Sequence, residues 1–280
     1  MPAPDFVAVG HVTLDRFGNE WRPGGAAAYA AITADRLGLA AGILTSHADD
    51  FPLDALPSRV EVVSIPAAAT TLFEHDDAED GRTMRVRATA GPLIAAHLPD
   101  DWRDAPLVLL APVVNEVDPM LAAAFDDATV AAAAQGWLRA IGQGGAVRPL
   151  PWDSPALTLR RLQALFLSSE DVRGQEPSIT EWVQRVPLAA LTTGARGGLL
   201  YVNGERYELR PRATRAVDAT GAGDVFAAAF LARYRDGGDP WDAAEAATCA
   251  ASLSVEAAGW ASVPDAASLA RALDDYRRND

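Results

Sequence analysis

Short apolar runs recur along the chain and have the character of buried strands. They cover residues 6–9, 42–45, 60–65, 107–110, 164–167 and 188–192. Between them lie segments in which apolar residues recur at helical spacing, at 26–37, 120–125, 182–186 and 225–234. This alternation predicts an α/β fold in which helices cover a mainly parallel sheet.

One region departs from the alternation. Residues 70–74 and 83–88 have strand character and flank an acidic turn at 76–81, a pattern that predicts a β-hairpin. Pro66 and Pro92 flank the region and mark where the chain leaves and rejoins the main sheet. We therefore expect a small β appendage on the α/β core.

The composition indicates a globular protein in a reducing compartment. The 280 residues are 49% hydrophobic, enough for one large core with a smaller appendage. The sole cysteine, Cys249, has no internal disulfide partner, and the polar residues after Met1 do not resemble an export signal, so we expect a cytoplasmic location. The formal net charge of −14 and the lack of a long apolar run disfavour nucleic-acid and membrane partners.

All 24 basic residues are arginine, because the chain contains no lysine. This excludes a P-loop, the protein-kinase mechanism and Schiff-base chemistry, each of which needs a lysine. Phosphate binding in this chain must therefore rely on backbone amides, helix N-termini, arginine or a metal.

The strongest chemical signal is the run DATGAGD at 218–224, placed directly ahead of a predicted helix. Successive amides of Gly221, Ala222 and Gly223 at a helix start would form a nest for an anion such as a transferring phosphoryl group. Asp224 at the same point could accept the proton of an attacking hydroxyl. The alternative is that Asp224 only caps the helix and the glycines only make a tight turn.

The run DATGAGD, followed by a helix of small residues, resembles the signature of the ribokinase or PfkB family of carbohydrate kinases. Other landmarks of that family follow in the same order along the whole chain: Gly10 and Asp15 in GHVTLD, Gly24 and Gly25 in GGAAAY, Asp49 or Asp50, and Thr193, Gly194 and Gly197 in TTGARGG. The resemblance implies a three-layer ribokinase-like α/β core formed by 1–10, 19–66 and 93–280, with a small β lid formed by 11–18 and 67–92. It also implies that two copies could pair into a homodimer through the lid.

The same resemblance implies an ATP-dependent kinase that uses Mg²⁺, and it assigns roles to individual residues. Asp224 would be the base, and the amides of 221–223 would hold the phosphoryl group. Asp15 would bind the acceptor, with Gly24 and Gly25 letting the next helix begin close to it. The nucleotide contacts would come from Thr193, Gly194 and Gly197, with Gly259 in the adenine pocket.

The chain departs from the family pattern at two places that concern metals. Ser168-Ser169-Glu170-Asp171 stands where the family often has Asn-x-x-Glu. Ser168 and Asp171 could substitute, with Asp171 acting through a magnesium-bound water and Glu170 as a competitor. Ala219 replaces a commoner threonine, which leaves a monovalent-cation site for K⁺ at Asp218 an open question.

The acceptor is predicted to be a sugar or a cyclic polyol, with myo-inositol first and ribose or a nucleoside second. The segments GGAAAY, TTLFE and QGWLR are similar to the inositol-kinase branch of the family, and Tyr29 stands where sugar kinases often have asparagine. A fully hydroxylated ring needs many convergent polar groups, which could be Asp15, Glu74, Arg85, Gln135 and Arg139. Alternatively, Glu74 and Arg85 only pair across the hairpin.

Two rival functions were considered from the same residues. A non-catalytic ligand-binding regulator on this fold is supported by the altered 168–171 segment, whereas an intact Asp224 beside the glycines favours an enzyme. A nicotinamide dehydrogenase is disfavoured because no GxGxxG follows the first strand. His11, His47, His75 and His97 show no metal-ligand spacing, so we expect them to be ordinary surface or core residues.

Overall fold

The computed structural model describes residues 2–78, 81–125 and 127–278. Its strands, in chain order, are β1 (Phe6–Val9), β2 (Thr13–Phe17), β3 (Glu20–Gly24), β4 (Ala41–His47), β5 (Glu61–Pro66), β6 (Thr71–Ala78), β7 (Gly81–Ala88), β8 (Leu107–Leu110), β9 (Thr129–Ala133), β10 (Arg139–Ile141), β11 (Val147–Pro149), β12 (Ala164–Ser168), β13 (Leu188–Thr192), β14 (Gly198–Val202) and β15 (Glu205–Leu209). Its α-helices are α1 (Ala26–Arg36), α2 (Ala156–Leu159), α3 (Glu176–Val183), α4 (Ala222–Gly237), α5 (Pro240–Ser254) and α6 (Ala266–Arg278).

Within these ranges the main sheet has nine strands, in the order β15-β14-β13-β12-β9-β8-β1-β4-β5. The pairs from β13 through to β5 are parallel, whereas at one edge β14 pairs antiparallel with both β13 and β15. The strand order reverses between β1 and β8, which is the place where open α/β sheets bind ligands beyond their carboxyl ends. Gly10 lies at this point, and a Cβ there would overlap the carbonyl of Ala111.

Two hydrophobic cores sandwich the main sheet. One core packs α1, α4, α5 and α6 on one face through small residues, with buried alanines along α1 and α4. The other face is covered by a cluster that includes Trp102, Trp137, Trp152 and Trp182, around α2, α3 and short 3₁₀ segments. The predicted α/β fold with a mainly parallel sheet is confirmed, and the two cores give it three layers.

A separate sheet of four strands, in the order β3-β2-β6-β7, lies beside the main one. The predicted hairpin forms its β6 and β7 strands, whose connecting residues 79–80 lie outside the described residues. The division into core and lid differs from the prediction at one place. The sequence predicts that 19–66 belong to the core, but β3 within this range belongs to the small sheet. It pairs antiparallel with β2, because Gly18, with φ of 60°, reverses the chain direction between the two strands.

Three other local differences concern element type and extent. The predicted helix at 120–125 is a 3₁₀ segment, Pro119–Ala124, and the predicted helix at 182–186 is the end of the longer α3. The apolar pattern also did not predict β9, the pairs β10–β11 and β14–β15, or the helices α5 and α6; β9, α5 and α6 are rich in alanine, which gives a weak apolar signal. No helix within the described ranges combines the length and hydropathy that crossing a bilayer requires.

Candidate active site

A cavity of about 600 Å³ lies at the carboxyl ends of the main-sheet strands and beneath the small sheet. The chain thus brings together residues from both sheets that are far apart in sequence. Of the residues singled out above, the cavity is lined by Asp15, Gly25, Gln135, Arg139, Ser168, Asp171, Thr193, Gly194, Gly221, Ala222, Gly223 and Asp224. It is not lined by Gly24, Glu74, Arg85, Gly197, Asp218 or Gly259.

Asp224 lies in the first turn of α4 and is buried, with 6% of its surface exposed. Gln135 Nε2 donates a hydrogen bond to its Oδ1 at 3.0 Å. Burial raises the pKa of Asp224 to about 7; the charge of Arg139 lowers it and the charge of Asp171 raises it. A carboxyl group with a pKa near neutral could act as a general base at neutral pH.

The glycine-rich loop ahead of α4 adopts the conformation that the sequence suggests. Gly221 has a left-handed φ of 77°, and a Cβ there would overlap the ring of Tyr29. Ala222 donates its amide to the Ala219 carbonyl at 3.3 Å, which makes Gly221 and Gly223 the better anion donors of the three. Gly223 has open space where its side chain would be. The positive end of the α4 dipole is thus accessible from the cavity.

Asp15 lies on β2 of the small sheet and lines the same cavity. Thr13 Oγ1 donates to Asp15 Oδ1 at 3.2 Å. The other oxygen, Oδ2, lies against Gly24, where a Cβ would overlap it. Gly24 therefore makes room for the carboxylate without lining the cavity itself. Gly25 has a φ of 106° and begins α1.

A polar network connects Asp224 to the wall of the cavity. Arg139 Nη2 donates to Gln135 Oε1 at 2.8 Å and to Asp171 Oδ1 at 3.3 Å. Asp171 Oδ2 accepts from the hydroxyl of Ser168 at 2.6 Å. Gln135 and Arg139, predicted as acceptor ligands, are thus already engaged in positioning Asp224 and Asp171.

The loop after β13 provides one wall of the cavity. Thr193 closes it by donating from its backbone amide and its hydroxyl to the Gly197 carbonyl, at 2.8 and 3.0 Å. Gly197, with φ of 86°, is required by this turn, because a Cβ would overlap the Leu209 carbonyl. Gly259 also has a positive φ, of 63°, and begins a 3₁₀ turn away from the cavity. Both glycines therefore have a backbone role in this structure.

The carboxylate proposed to hold a monovalent cation already has a positive partner. Asp218 Oδ2 forms an ion pair with Arg22 Nη1 at 3.2 Å, and its Oδ1 accepts from the Thr220 amide at 3.0 Å. Arg22 lies on β3 of the small sheet and also contacts Glu20. Arg22 therefore already supplies a positive charge beside the carboxylate that the sequence suggested as a K⁺ ligand.

The assignment of Glu74 and Arg85 as acceptor ligands is corrected by the alternation of strand side chains. On β6, Phe73 and His75 line the cavity, so Glu74 between them faces the other way. Glu74 forms ion pairs with Arg16 and Arg87 on the two neighbouring strands. Arg85 is the cross-strand neighbour of Glu74 and shares its face of the sheet.

Several cavity residues were not expected from the sequence as ligands. Arg173 and Arg196 add positive charge to the wall near Asp171 and Gly194, and no motif marks them. Thr13, Phe73, His75 and Met84 come from the small sheet. Thr13 could have been predicted as a cavity residue, since it is two residues from Asp15 and therefore on the same face of the strand. The pairing of β2 with β6, however, is not readable from the sequence.

Comparison with known proteins gives consistent results. Residues 164–266 match the pfkB family carbohydrate kinase profile. The chain is 28% identical to the cytidine kinase of Thermococcus kodakarensis in an alignment 253 residues long, which covers 83% of this chain and 89% of that enzyme. The family match includes the glycine-rich loop and the start of α4, where Asp224 lies.

Two solved structures share the fold over nearly their full length. A pyrophosphate-dependent kinase in the ribokinase family, complexed with a pyrophosphate analog and myo-inositol, has a TM-score of 0.79 at 21% identity and covers 95% of this chain and 99% of its own. Arabidopsis thaliana ribokinase, complexed with ribose and ATP, has a TM-score of 0.73 at 21% identity and covers 97% and 99%. The prediction of a ribokinase-like fold is confirmed by these likenesses.

Proposed function

We propose that this chain is a kinase of the ribokinase type that transfers the γ-phosphoryl group of ATP to a hydroxyl of a small polyhydroxylated acceptor, with Asp224 as the base. The observation that carries the proposal is the position of a buried carboxylate at the positive end of α4, in a cavity that a second carboxylate, Asp15, also lines. Asp15 would accept hydrogen bonds from the acceptor hydroxyls, and Asp224 would take the proton of the attacking one.

The residues near Asp224 divide the remaining work. The amides of Gly221 and Gly223 would bind the transferring phosphoryl group, since the chain has no lysine to do so. Gln135 donates to Asp224 and holds the carboxylate in place. The small sheet above the cavity would exclude water and so limit hydrolysis of the donor.

The carboxylates near the cavity wall suit magnesium, which binds one or two carboxylates and retains several waters. Glu170 and Asp171 line the cavity, and no group of three or more potential ligands forms a closed metal cage among the described residues. These two side chains would hold a magnesium-bound water. When bound, Mg²⁺ would neutralise charge on the donor phosphates.

The acceptor end favours a nucleoside over a cyclic polyol. A fully hydroxylated ring leaves buried polar groups unpaired, at about 1–3 kcal/mol each, unless the site supplies many partners. Glu74 and Arg85 face away from the cavity, and Gln135 and Arg139 already bind other side chains. The polar set available to a polyol is thus smaller than the sequence suggested.

The wall around Asp15 contains apolar side chains in place of those polar groups, namely Phe73, Met84 and Val113. Such a wall suits the planar base of a nucleoside, while Asp15 would accept from its ribose hydroxyls. The similarity to a cytidine kinase over most of the chain supports this order. Myo-inositol is the second candidate, supported by the fold shared with an inositol-bound kinase.

A non-catalytic regulator on the same fold fits the site less well. Burying Asp224 raises its pKa to about 7, which means that its ionised form is disfavoured in the folded protein. A protein that only binds its ligand has no use for a buried carboxylate with a raised pKa, whereas a general base works best with a pKa near the working pH.

The test is a panel of cytidine, ribose and myo-inositol with either ATP or pyrophosphate as donor, in the presence of magnesium. Release of ADP or phosphate and formation of the phosphorylated acceptor are both measured. We expect the highest kcat/KM for cytidine with ATP. A faster reaction with pyrophosphate than with ATP would contradict ATP as the donor. A faster reaction of myo-inositol than of cytidine would contradict the ranking of the acceptors. No product from any donor and acceptor pair would reject the proposed function.

A further inference from the structure

We propose that His75 is a positioning residue for acceptor recognition, which acts by holding the Asp15 carboxylate. His75 lies on β6 of the small sheet, and its side chain lines the cavity and is 10% exposed. Neither of its ring nitrogens has a hydrogen-bond partner among the described residues, and both are shielded from solvent. A buried polar group without a partner costs about 1–3 kcal/mol, so the site must gain something from keeping it.

The ring of His75 is held in one orientation by its neighbours. It stacks on Phe17 with ring centroids 4.5 Å apart and planes 6° from parallel, and it lies 6.4 Å from Phe73. Phe17 is the direct register partner of His75 in the β2–β6 pair. The ring therefore has little freedom to turn toward another partner.

The nearest acceptor for His75 is Asp15, which shares its face of the small sheet. Nε2 lies 3.7 Å from Asp15 Oδ1, a distance suited to an ion pair but too long for a hydrogen bond. The same Oδ1 accepts from Thr13, while Oδ2 lies against Gly24. A small inward movement of β6 would close the gap and commit Oδ1 to Thr13 and His75.

This arrangement would give the two carboxylate oxygens of Asp15 different partners. With Oδ1 bound by the sheet, Oδ2 would accept from the acceptor hydroxyl in a fixed direction. The role of His75 rests on the proposed function, because Asp15 matters as an acceptor ligand only in a kinase of this kind. The neutral imidazole with its proton on Nε2 is sufficient, and no change of charge is needed.

The experiment compares His75→Phe, which retains the stacked ring and removes the nitrogens, with His75→Gln, which restores a donor near Nε2. We expect His75→Phe to lower kcat/KM for the preferred acceptor of the cytidine, ribose and myo-inositol panel by about tenfold or more, a hydrogen bond to a charged group being worth about 1.5–3 kcal/mol. The KM for ATP should be unchanged, and His75→Gln should recover most of the loss. His75→Leu replaces His75→Phe if the latter melts below the assay temperature.

Two controls separate this role from a structural one. Glu74→Gln alters the adjacent residue on the opposite face and should leave the acceptor KM unchanged. In an Asp15→Asn background, His75→Phe should have little further effect, because the histidine acts through the aspartate. An equal loss in both backgrounds, or equal effects on the donor and acceptor KM, would overturn the inference.

The outcomes also distinguish the inference from the proposed function. If the parent phosphorylates an acceptor and His75→Phe stays within about twofold of it in kcat/KM, the role of His75 is rejected and the kinase proposal stands. If the parent phosphorylates none of the acceptors, and calorimetry detects no binding of them, the proposed function fails and the role of His75 fails with it.

Discussion

The two ends of the cavity are built in different ways. At the acceptor end, meaning the small-sheet residues proposed to bind the acceptor, side chains project from one face of the sheet, with Thr13 and Asp15 on β2 and Phe73 and His75 on β6. At the phosphate end, the groups come from backbone and from loops that follow main-sheet strands. There the start of α4 supplies amides and Asp224 together within four consecutive residues, 221–224.

This difference suggests where chemistry and selectivity are determined. A phosphoryl group is the same whatever the acceptor, so a short contiguous backbone motif is sufficient to bind it. An acceptor is recognised by its shape and hydroxyl pattern, which requires side chains brought together by strand pairing. Changes at the phosphate end should therefore affect every acceptor, whereas changes at the acceptor end should affect each one differently.

The largest effect is expected from Asp224→Asn, which removes the base and preserves the shape of the side chain. Turnover should fall by about 10² or more with every acceptor, in the range of general-base contributions. ATP binding, measured by calorimetry, should be retained. A variant that turns over within about threefold of the parent would show that Asp224 is not the base.

The same substitution should change stability in a pH-dependent way. The folded protein retains the Asp224 proton up to about pH 7, whereas an unfolded aspartate releases it near 3.9, so the parent loses stability as pH rises between these values. Asp224→Asn should therefore melt at a higher temperature than the parent at pH 8. The two should converge at pH 4, and the absence of such convergence would contradict the raised pKa.

The next largest effect is expected from Gly223→Val, which places a side chain in the phosphate nest. The position has open space, so the variant should fold while losing at least about tenfold in kcat/KM for the donor. The matched control is Gly237→Val at the other end of α4, where the space is also open. The nest would be excluded as the phosphate site if both variants were folded and equally active.

A smaller effect is expected on the pH dependence of turnover, which should rise through about pH 7 in the parent as Asp224 ionises. Arg139 lowers the pKa of Asp224 and Asp171 raises it. Arg139→Met should therefore move the midpoint to higher pH, and Asp171→Asn should move it to lower pH, each by about one unit or less. Shifts of the same sign in both variants would argue against this electrostatic coupling.

The smallest effect concerns Arg22, the ion-pair partner of Asp218. Parent turnover should differ by less than about twofold between potassium and tetramethylammonium buffers, because the Arg22 guanidinium already supplies a positive charge beside Asp218. Arg22→Met should make potassium stimulate turnover a few-fold. Glu20→Gln, which removes the other partner of Arg22, should behave as the parent does. A parent that requires potassium would show that the pair does not replace a cation.

The backbone-built end could be predicted from the sequence because its parts are contiguous. DATGAGD placed Asp224, Gly221 and Gly223 at a helix start without any knowledge of the fold. What the motif could not show was the burial that raises the pKa of Asp224, since that depends on packing against other segments. An aspartate exposed to water, with a pKa of about 3.9, would be a weak base for an alcohol.

The acceptor end could be predicted only in part because it depends on long-range register. The hairpin at 70–88 was predictable, but the face of each residue relative to Asp15 follows from the pairing of β2 with β6. A polar count along the sequence selected Glu74 and missed His75, although the two are adjacent. In a strand, successive side chains point to opposite faces, so a residue next to a cavity-facing one points to the outer face of the sheet.

The connections of the small sheet limit how it can move. The chain enters it from β1, leaves it into α1, enters again from β5 and leaves again after β7, so four covalent connections join it to the main body. A lid on a single hinge swings freely, whereas one with four attachments can only tilt over a narrow range. Proteolytic cleavage of any one connection would leave three, so the nicked protein should still open and close over the cavity.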